Sequence, residues 1–297
     1  TFPDWRQAAF LGTSVMRAGL FLQEAGNRTL ANRFFGHLAE RLDRDKARPI
    51  TAILMCQTDT STSVISDVAA IRRTIDNAGH PALFMVDCIA SLACDRYEMD
   101  AWGVDVTVSA CQKGLMTPPG LAYNHIGDKA WAARQRLTDV SPYWDWMARR
   151  SPDVFYMHFF GTAPTHHLFG QAEALNMVLH EEGLENVWRR HETHAKAVWA
   201  AVSAWSTAGP LCCNIAEPAQ RSTAVTTIRT GAADADQLRS WCASEAGLVL
   251  GVGLPLTHDE PGQSEGLFRI GHMGHLSPPM ILGTLATIEA GLSACGI

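Results

Sequence analysis

Between residues 50 and 124, short apolar runs alternate with one helical pattern, and this alternation limits the fold more than any other feature. Residues 50–56 read as a strand. Val68, Ile71 and Ile75 then recur at helical spacing, with Ser66 or Asp67 as N-cap and Gly79 just past the end. Residues 82–86 make a second strand closed by Asp87. Val104, Val106 and Val108 make a third, and residues 120–123 a fourth. Strands alternating with a helix predict an α/β fold, a mainly parallel sheet flanked by helices. Such sheets gather their functional groups at the carboxyl ends of strands. Thr60, Asp87 and Lys113 all lie at or just after such ends.

The middle of the chain is helical. Residues 168–180 read as one helix, interrupted by Gly183. Leu184, Val187, Trp188, His191, Ala195, Val198 and Val202 follow at intervals of three and four, which predicts an amphipathic helix with Arg189 and Arg190 facing water. Gly209-Pro210 ends it. Beyond lie a strand pattern at 224–228, a helix near 236–242, apolar runs near Leu248 and Phe268, and a last helix at about 279–292. The chain therefore divides into a large domain, residues 1–205, and a smaller C-terminal α+β domain, residues 206–297.

Composition removes several function classes. The 297 residues are 47% hydrophobic and 18% charged, enough apolar material for a sizeable core, with a net charge of −6 and no long basic run. That balance argues against a nucleic-acid partner. No apolar stretch is long enough to span a membrane, and no basic-then-apolar leader is visible at the N-terminus. None of the eight cysteines forms a Cys-x-x-Cys pair. Buried thiols in a reducing compartment, the cytoplasm, are the expectation.

The chemistry centres on Asp87 and Lys113. A carboxylate and a lysine at the same ends of neighbouring parallel strands suit pyridoxal 5′-phosphate. The cofactor's aldehyde needs an amine for a Schiff base, and its pyridine nitrogen needs an anion. Thr60 supplies a hydroxyl near the sheet's edge for the cofactor's phenolic oxygen. Arg269 offers a planar fork for a substrate carboxylate. Other candidates carry less. His166-His167, His191/His194 and His272/His275 lack acidic or cysteine partners for a metal, and an i,i+3 pair on a basic helix is expected to be solvated. Cys111 has no His-Asp context for a nucleophile. Trp144-Asp145-Trp146 reads as packing at a domain or subunit interface, with a substrate wall as the other reading.

Longer motifs add a family. The stretches Val86-Asp87-Cys88-Ile89-Ala90-Ser91-Leu92, Met99-Asp100-Ala101-Trp102-Gly103-Val104-Asp105 and Gln112-Lys113-Gly114 with Pro118-Pro119-Gly120 resemble class V aminotransferases. So do Thr162-Ala163-Pro164, Glu182-Gly183-Leu184-Glu185-Asn186-Val187-Trp188 and Arg269-Ile270-Gly271-His272-Met273-Gly274. The alanine–, serine– and aspartate–glyoxylate branch is the most similar. The resemblance covers nearly the whole chain in order and implies the type I fold of pyridoxal-phosphate-dependent transferases.

By that resemblance Lys113 would carry the Schiff base and Asp87 would pair with the pyridine nitrogen. Ile89 would pack on a ring face, Thr60 would bond the phenolic oxygen and Gln112 would sit by the phosphate. Thr162 would reach the phosphate held by the other subunit of a homodimer with shared sites, and Arg269 would hold the substrate carboxylate. Phe159 stands where the family usually has tyrosine, so one phosphate bond across the dimer would be lost. Phe2, or Trp5, matches the aromatic that stacks on the cofactor. That match puts the family's phosphate-cradling loop upstream of Thr1. The implied reaction moves an amino group from a small amino acid to an oxo acid such as glyoxylate or pyruvate. The alternatives are a non-catalytic remnant of such an enzyme and a lyase or desulfurase, which would need a reactive cysteine on a late loop. Cys242 lies in a helical pattern instead.

Overall fold

The computed structural model describes residues 28–47, 49–231, 234–254 and 266–297. Helix α1 (Arg28–Arg44) leads into strand β1 (Ala52–Cys56), a small hairpin of β2 (Thr58–Asp59) and β3 (Val64–Ile65), and helix α2 (Val68–Asn77). Strands β4 (Leu83–Asp87), β5 (Val106–Ala110) and β6 (Ala122–Ile126) complete a sheet of order β1-β4-β5-β6. β1, β4 and β5 run parallel, with Cys56 beside Asp87 and Asp87 beside Val108.

The expected parallel core is present, and α2 begins where the capping signal put it. Asp67 accepts from the Ala70 amide at 2.8 Å, and Gly79 leaves the helix at φ 54°. The fourth strand differs from the simple alternation. It starts at Ala122 and pairs antiparallel with β5, Ala110 opposite Ala122. A parallel crossover needs a dozen or more residues, usually a helix, whereas a short loop returns the chain as a hairpin. Alternating burial along β1 and β4 packs Ile53, Phe84 and Val86 against Ile71 and Ile75 of α2 and Leu38 and Leu42 of α1. Phe84 is fully buried, and its loss would cost about 3–5 kcal/mol.

Helices α3 (Asp128–Gln135) and α4 (Trp146–Arg150) lead to α5 (Thr165–Asn176), which ends in a π-helical turn, Met177–Glu181. Gly183 (φ 82°) opens α6 (Leu184–Trp205). The second sheet is antiparallel, with order β7 (Cys212–Cys213), β8 (Val225–Arg229), β10 (Leu267–Gly271) and β9 (Gly251–Val252). The apolar run at Leu248 precedes β9 and is not itself a strand. Helices α7 (Asp234–Ala246) and α8 (Pro278–Cys295) cover this sheet. Ile228, Phe268 and Ile270 pack there with Leu238, Ile281, Ile288 and the C-terminal part of α6 at Val198 and Val202.

Two expectations about α6 fail. Arg189 is exposed, but Arg190 turns inward. It grips Glu182 with Nε at 2.7 Å and Nη2 at 3.0 Å, and donates from Nη1 to the Gly274 carbonyl at 2.8 Å. His191 and His194 are buried rather than solvated. The helix is held on two sides, by the second core and by the 271–276 loop, so its polar stripe is narrower than its sequence suggests.

Candidate active site

The candidate residues gather at the carboxyl edge of the first sheet. Asp87 ends β4 between β1 and β5. Its Oδ1 accepts from the Ile89 amide at 2.8 Å, which fixes the carboxylate against the turn that follows. No described residue bonds its Oδ2, and no described cation pairs with it. Its charge and burial together push the Cys56 and Cys88 thiols up, burial being the larger cause, with Cys88 reaching about 12. Those cysteines are therefore inert apolar neighbours rather than nucleophiles.

Lys113 is half-buried in the loop between β5 and β6. The loop is closed by Cys111 N donating to Leu121 O (3.1 Å), Thr117 N to Cys111 O (3.0 Å) and Met116 N to Lys113 O (3.0 Å). The Thr117 hydroxyl also reaches Gln171 of α5 at 3.2 Å. No described residue bonds or pairs with Lys113 Nζ. The role of Gly114 is close packing. A Cβ there would lie 2.2 Å from the Leu92 carbonyl oxygen and 2.8 Å from Cys94 Sγ, so only glycine seats Lys113's loop on the turn after Asp87.

Thr60 follows β2 in a loop organised by Asp59, which accepts from the Ser61 amide at 2.9 Å and the Thr62 hydroxyl at 2.7 Å. Arg269 of β10 arrives from the second sheet. Its Nε donates to Val252 O at 2.8 Å and its Nη1 to Thr60 O at 3.0 Å. Nη2 bonds no described residue. Burial lowers the guanidinium's pKa from its usual value and nearby Asp59 opposes that. Ile89 and Gln112 flank Asp87 and Lys113 in sequence, Ile89 half-buried and Gln112 exposed. Thr162 is exposed, two residues after Phe160, whose ring packs edge-on against Tyr143 at 5.9 Å; Tyr143, Trp144, Phe155 and Tyr156 are exposed as well. Phe2 and Trp5 lie outside the described residues.

Sequence reasoning missed the buried network that joins these pieces. Asp95 is fully buried and accepts from Thr58 Oγ1 (2.8 Å), Ser222 Oγ (2.7 Å), Thr223 N (2.6 Å) and Thr223 Oγ1 (2.8 Å). His191 Nε2 accepts from the Gly274 amide at 3.0 Å, while His272 lies between Thr226 Oγ1 and Thr223 O at 2.8 Å each. These bonds occupy both ring nitrogens of His272. Cys242 sits buried on α7 with its thiol pushed up by burial, so it does not provide a desulfurase's nucleophile. Cys111 Sγ is taken up by Pro118 O and the Leu121 amide.

A half-buried carboxylate and a half-buried lysine on neighbouring strand ends, each with an unpaired terminal atom, fit a group that brings both a proton donor and a carbonyl carbon. That architecture is an aminotransferase fold. The solved structure of pyridoxamine–pyruvate aminotransferase from Mesorhizobium loti superposes with a TM-score of 0.75 at 27% identity, over 89% of this chain and 64% of the other. The chain belongs to the class-V aminotransferase family, whose profile matches residues 33–258. It is 33% identical to the serine–glyoxylate aminotransferase of Methylorubrum extorquens, over 88% of this chain and 63% of that protein. It is 35% identical to the L-aspartate–glyoxylate aminotransferase of Paracoccus denitrificans, over 87% and 62%. The chain thus spans a little under two thirds of the length of these relatives.

Proposed function

We propose that the chain binds pyridoxal 5′-phosphate and transfers an amino group from a small amino acid to an oxo acid such as glyoxylate or pyruvate. Asp87 at the end of β4 and Lys113 just past the end of the neighbouring β5, with Asp87 Oδ2 and Lys113 Nζ bonded to no described residue, carry this reading. Pyridoxal phosphate, when bound, supplies an electron sink for negative charge at the substrate's Cα. Asp87 Oδ2 would accept a hydrogen bond from the ring nitrogen, while Ile89 N holds the carboxylate in place through Oδ1. Lys113 Nζ would be the amine that holds the aldehyde carbon, and as a free amine would move the Cα proton as base and then acid. The Thr60 hydroxyl would serve the phenolic oxygen, Ile89 a ring face and Gln112 the phosphate; Phe2, assigned to the cofactor by resemblance, lies outside the described residues. The free edge of Arg269 holds the substrate carboxylate, anchored from behind by Thr60 O and Val252 O.

We also assign the chain two domains, residues 1–205 and 206–297, and a homodimer in which Thr162 serves the neighbouring subunit's phosphate. The exposed aromatics around Thr162 support that interface. Among the described residues no helix is long and apolar enough to cross a membrane. All eight cysteines are free, in keeping with a reducing compartment such as the cytoplasm.

The test is a titration of the chain with pyridoxal phosphate, followed by assays of serine, aspartate and alanine as donors to glyoxylate and pyruvate. The reading predicts a visible absorption band that Lys113→Ala abolishes, and formation of glycine or alanine. A wild-type chain with neither band nor product would overturn it.

A further inference from the structure

Four segments carry the proposed site: Asp87–Ile89, Thr58–Thr60, the Lys113 loop, and β10 with Arg269. One buried side chain connects them. Asp95 ends the turn that starts at Asp87, with Leu92 N bonded to Cys88 O (2.9 Å) and Asp95 N to Ser91 O (2.8 Å). Its Oδ2 binds Thr58, two residues before Thr60, at 2.8 Å. The same oxygen takes Ser222 Oγ, and Oδ1 takes both donors of Thr223. Thr223 leads directly into β8, which pairs with β10 so that Thr227 faces Arg269. Thr227 in turn donates to Ser61 O at 2.9 Å. The Lys113 loop rests on this same turn through Gly114 and the Leu92 carbonyl.

We propose that Asp95 is the positioning residue of the site, setting the distance of Arg269 and Thr60 from Asp87 and Lys113. It touches neither substrate nor cofactor. It acts through Thr58 and Thr223: one hydrogen bond holds Thr58, three join the first sheet's turn to the segment that leads into the second sheet, and no described cation pairs with it. A buried carboxylate without a counter-ion is costly unless its acceptor sites are filled. Burial pushes the Asp95 carboxyl up, while the bonds from Ser222, Thr223 and Thr58 pull it down. The arrangement is directional: apolar contacts tolerate sliding, whereas four donors aimed at two oxygens fix one relative placement.

The inference rests on the transaminase reading, so the wild-type chain is measured first. Asp95→Ala, Asp95→Asn and Thr223→Val are then compared in the full chain with pyridoxal phosphate present. Asp95→Ala is expected to keep the visible band, which depends on Lys113, but to raise KM for the carboxylate substrates about tenfold or more with a smaller change in kcat. Asp95→Asn, which keeps the shape and part of the bonding, should recover part of that KM. Amide exchange should rise together at 58–62 and 222–226 and stay unchanged in α2. If Asp95→Ala does not fold, Thr223→Val, which removes one hydroxyl, replaces it with the same expected signs. Unchanged KM and unchanged exchange at both segments would overturn the inference, as would a fall in thermal stability alone. A wild-type chain without band or turnover overturns the transaminase reading only, and the paired exchange at 58–62 and 222–226 then decides Asp95 by itself.

Discussion

Arg269 donates from Nη1 to the carbonyl of Thr60 at 3.0 Å, across 209 residues of chain. The bond ties a residue of the second sheet to the loop beside the first, and it consumes one corner of the guanidinium fork while Val252 O consumes another. Lysine cannot make both bonds and still present a free edge. Arg269→Lys is therefore expected to raise KM for the amino and oxo acid substrates by about a hundredfold, close to the effect of Arg269→Ala. Steady-state kinetics with glyoxylate and with an amino donor check this. A lysine variant with near wild-type KM would remove Arg269 from substrate binding.

Gly114→Ala tests how the Lys113 loop is seated. The added methyl meets a backbone carbonyl at 2.2 Å, which cannot rotate away. Overpacking of this kind costs about 2 kcal/mol or more. A lower urea midpoint is expected, together with weaker visible absorption at fixed pyridoxal phosphate, because the loop that lifts also carries Lys113. Loss of stability with full cofactor absorption would show that Lys113 is placed independently of this contact.

Acid should loosen the junction between α6 and the second sheet. Burial holds His191 and His272 at about 4, well below the ordinary 6.5 of an exposed histidine. The unfolded chain therefore binds more protons between pH 6.5 and 4, and stability rises with pH across that window. The contribution is complete above about pH 6.5 and is lost on acidification toward 4, on the order of 3 kcal/mol for each residue. Urea melts at stepped pH should show the slope, and His272→Asn should flatten part of it. A wild-type midpoint flat between pH 7 and 4.5 would contradict it.

The exposed aromatics predict association. Trp144 is 73% exposed and Phe155 68%, within 20 residues of Thr162 in the chain. Trp144→Glu is expected to weaken the proposed homodimer by about 2 kcal/mol, roughly thirtyfold in dissociation constant. Light scattering across a dilution series reads this directly. A wild-type chain that is monomeric at all concentrations would refute the shared site.

Local periodicity made half of this structure legible. β1, α2 and β4 follow from apolar spacing, the Asp67 cap and Gly79, all of which act within a few residues. Asp87 and Lys113 could be proposed together from sequence because parallel sheets put strand ends at one edge. Asp95 was not, because its partners lie 37, 127 and 128 residues away and its own surroundings read as an ordinary turn. His191 looked solvated because helical spacing shows which residues share a face, not how many neighbours cover it. The packing at Gly114 was not legible either, because no sequence sign shows that a carbonyl of another segment presses against it.

The reversal of β6 has a mechanical effect on Lys113. Because β5 and β6 are hydrogen-bonded neighbours, the segment carrying the lysine is clasped at both ends by the same ladder, Ala110 to Ala122 and then Cys111 to Leu121. A lysine at the end of a crossover would be tethered at one end and would drift with whatever helix followed. Here the amine lies two residues beyond a closed pair of stems, so its height above the sheet is set by main-chain bonds. Apart from Gly114, whose lack of a side chain seats the loop, changes in the loop's side chains then disturb the lysine's backbone little.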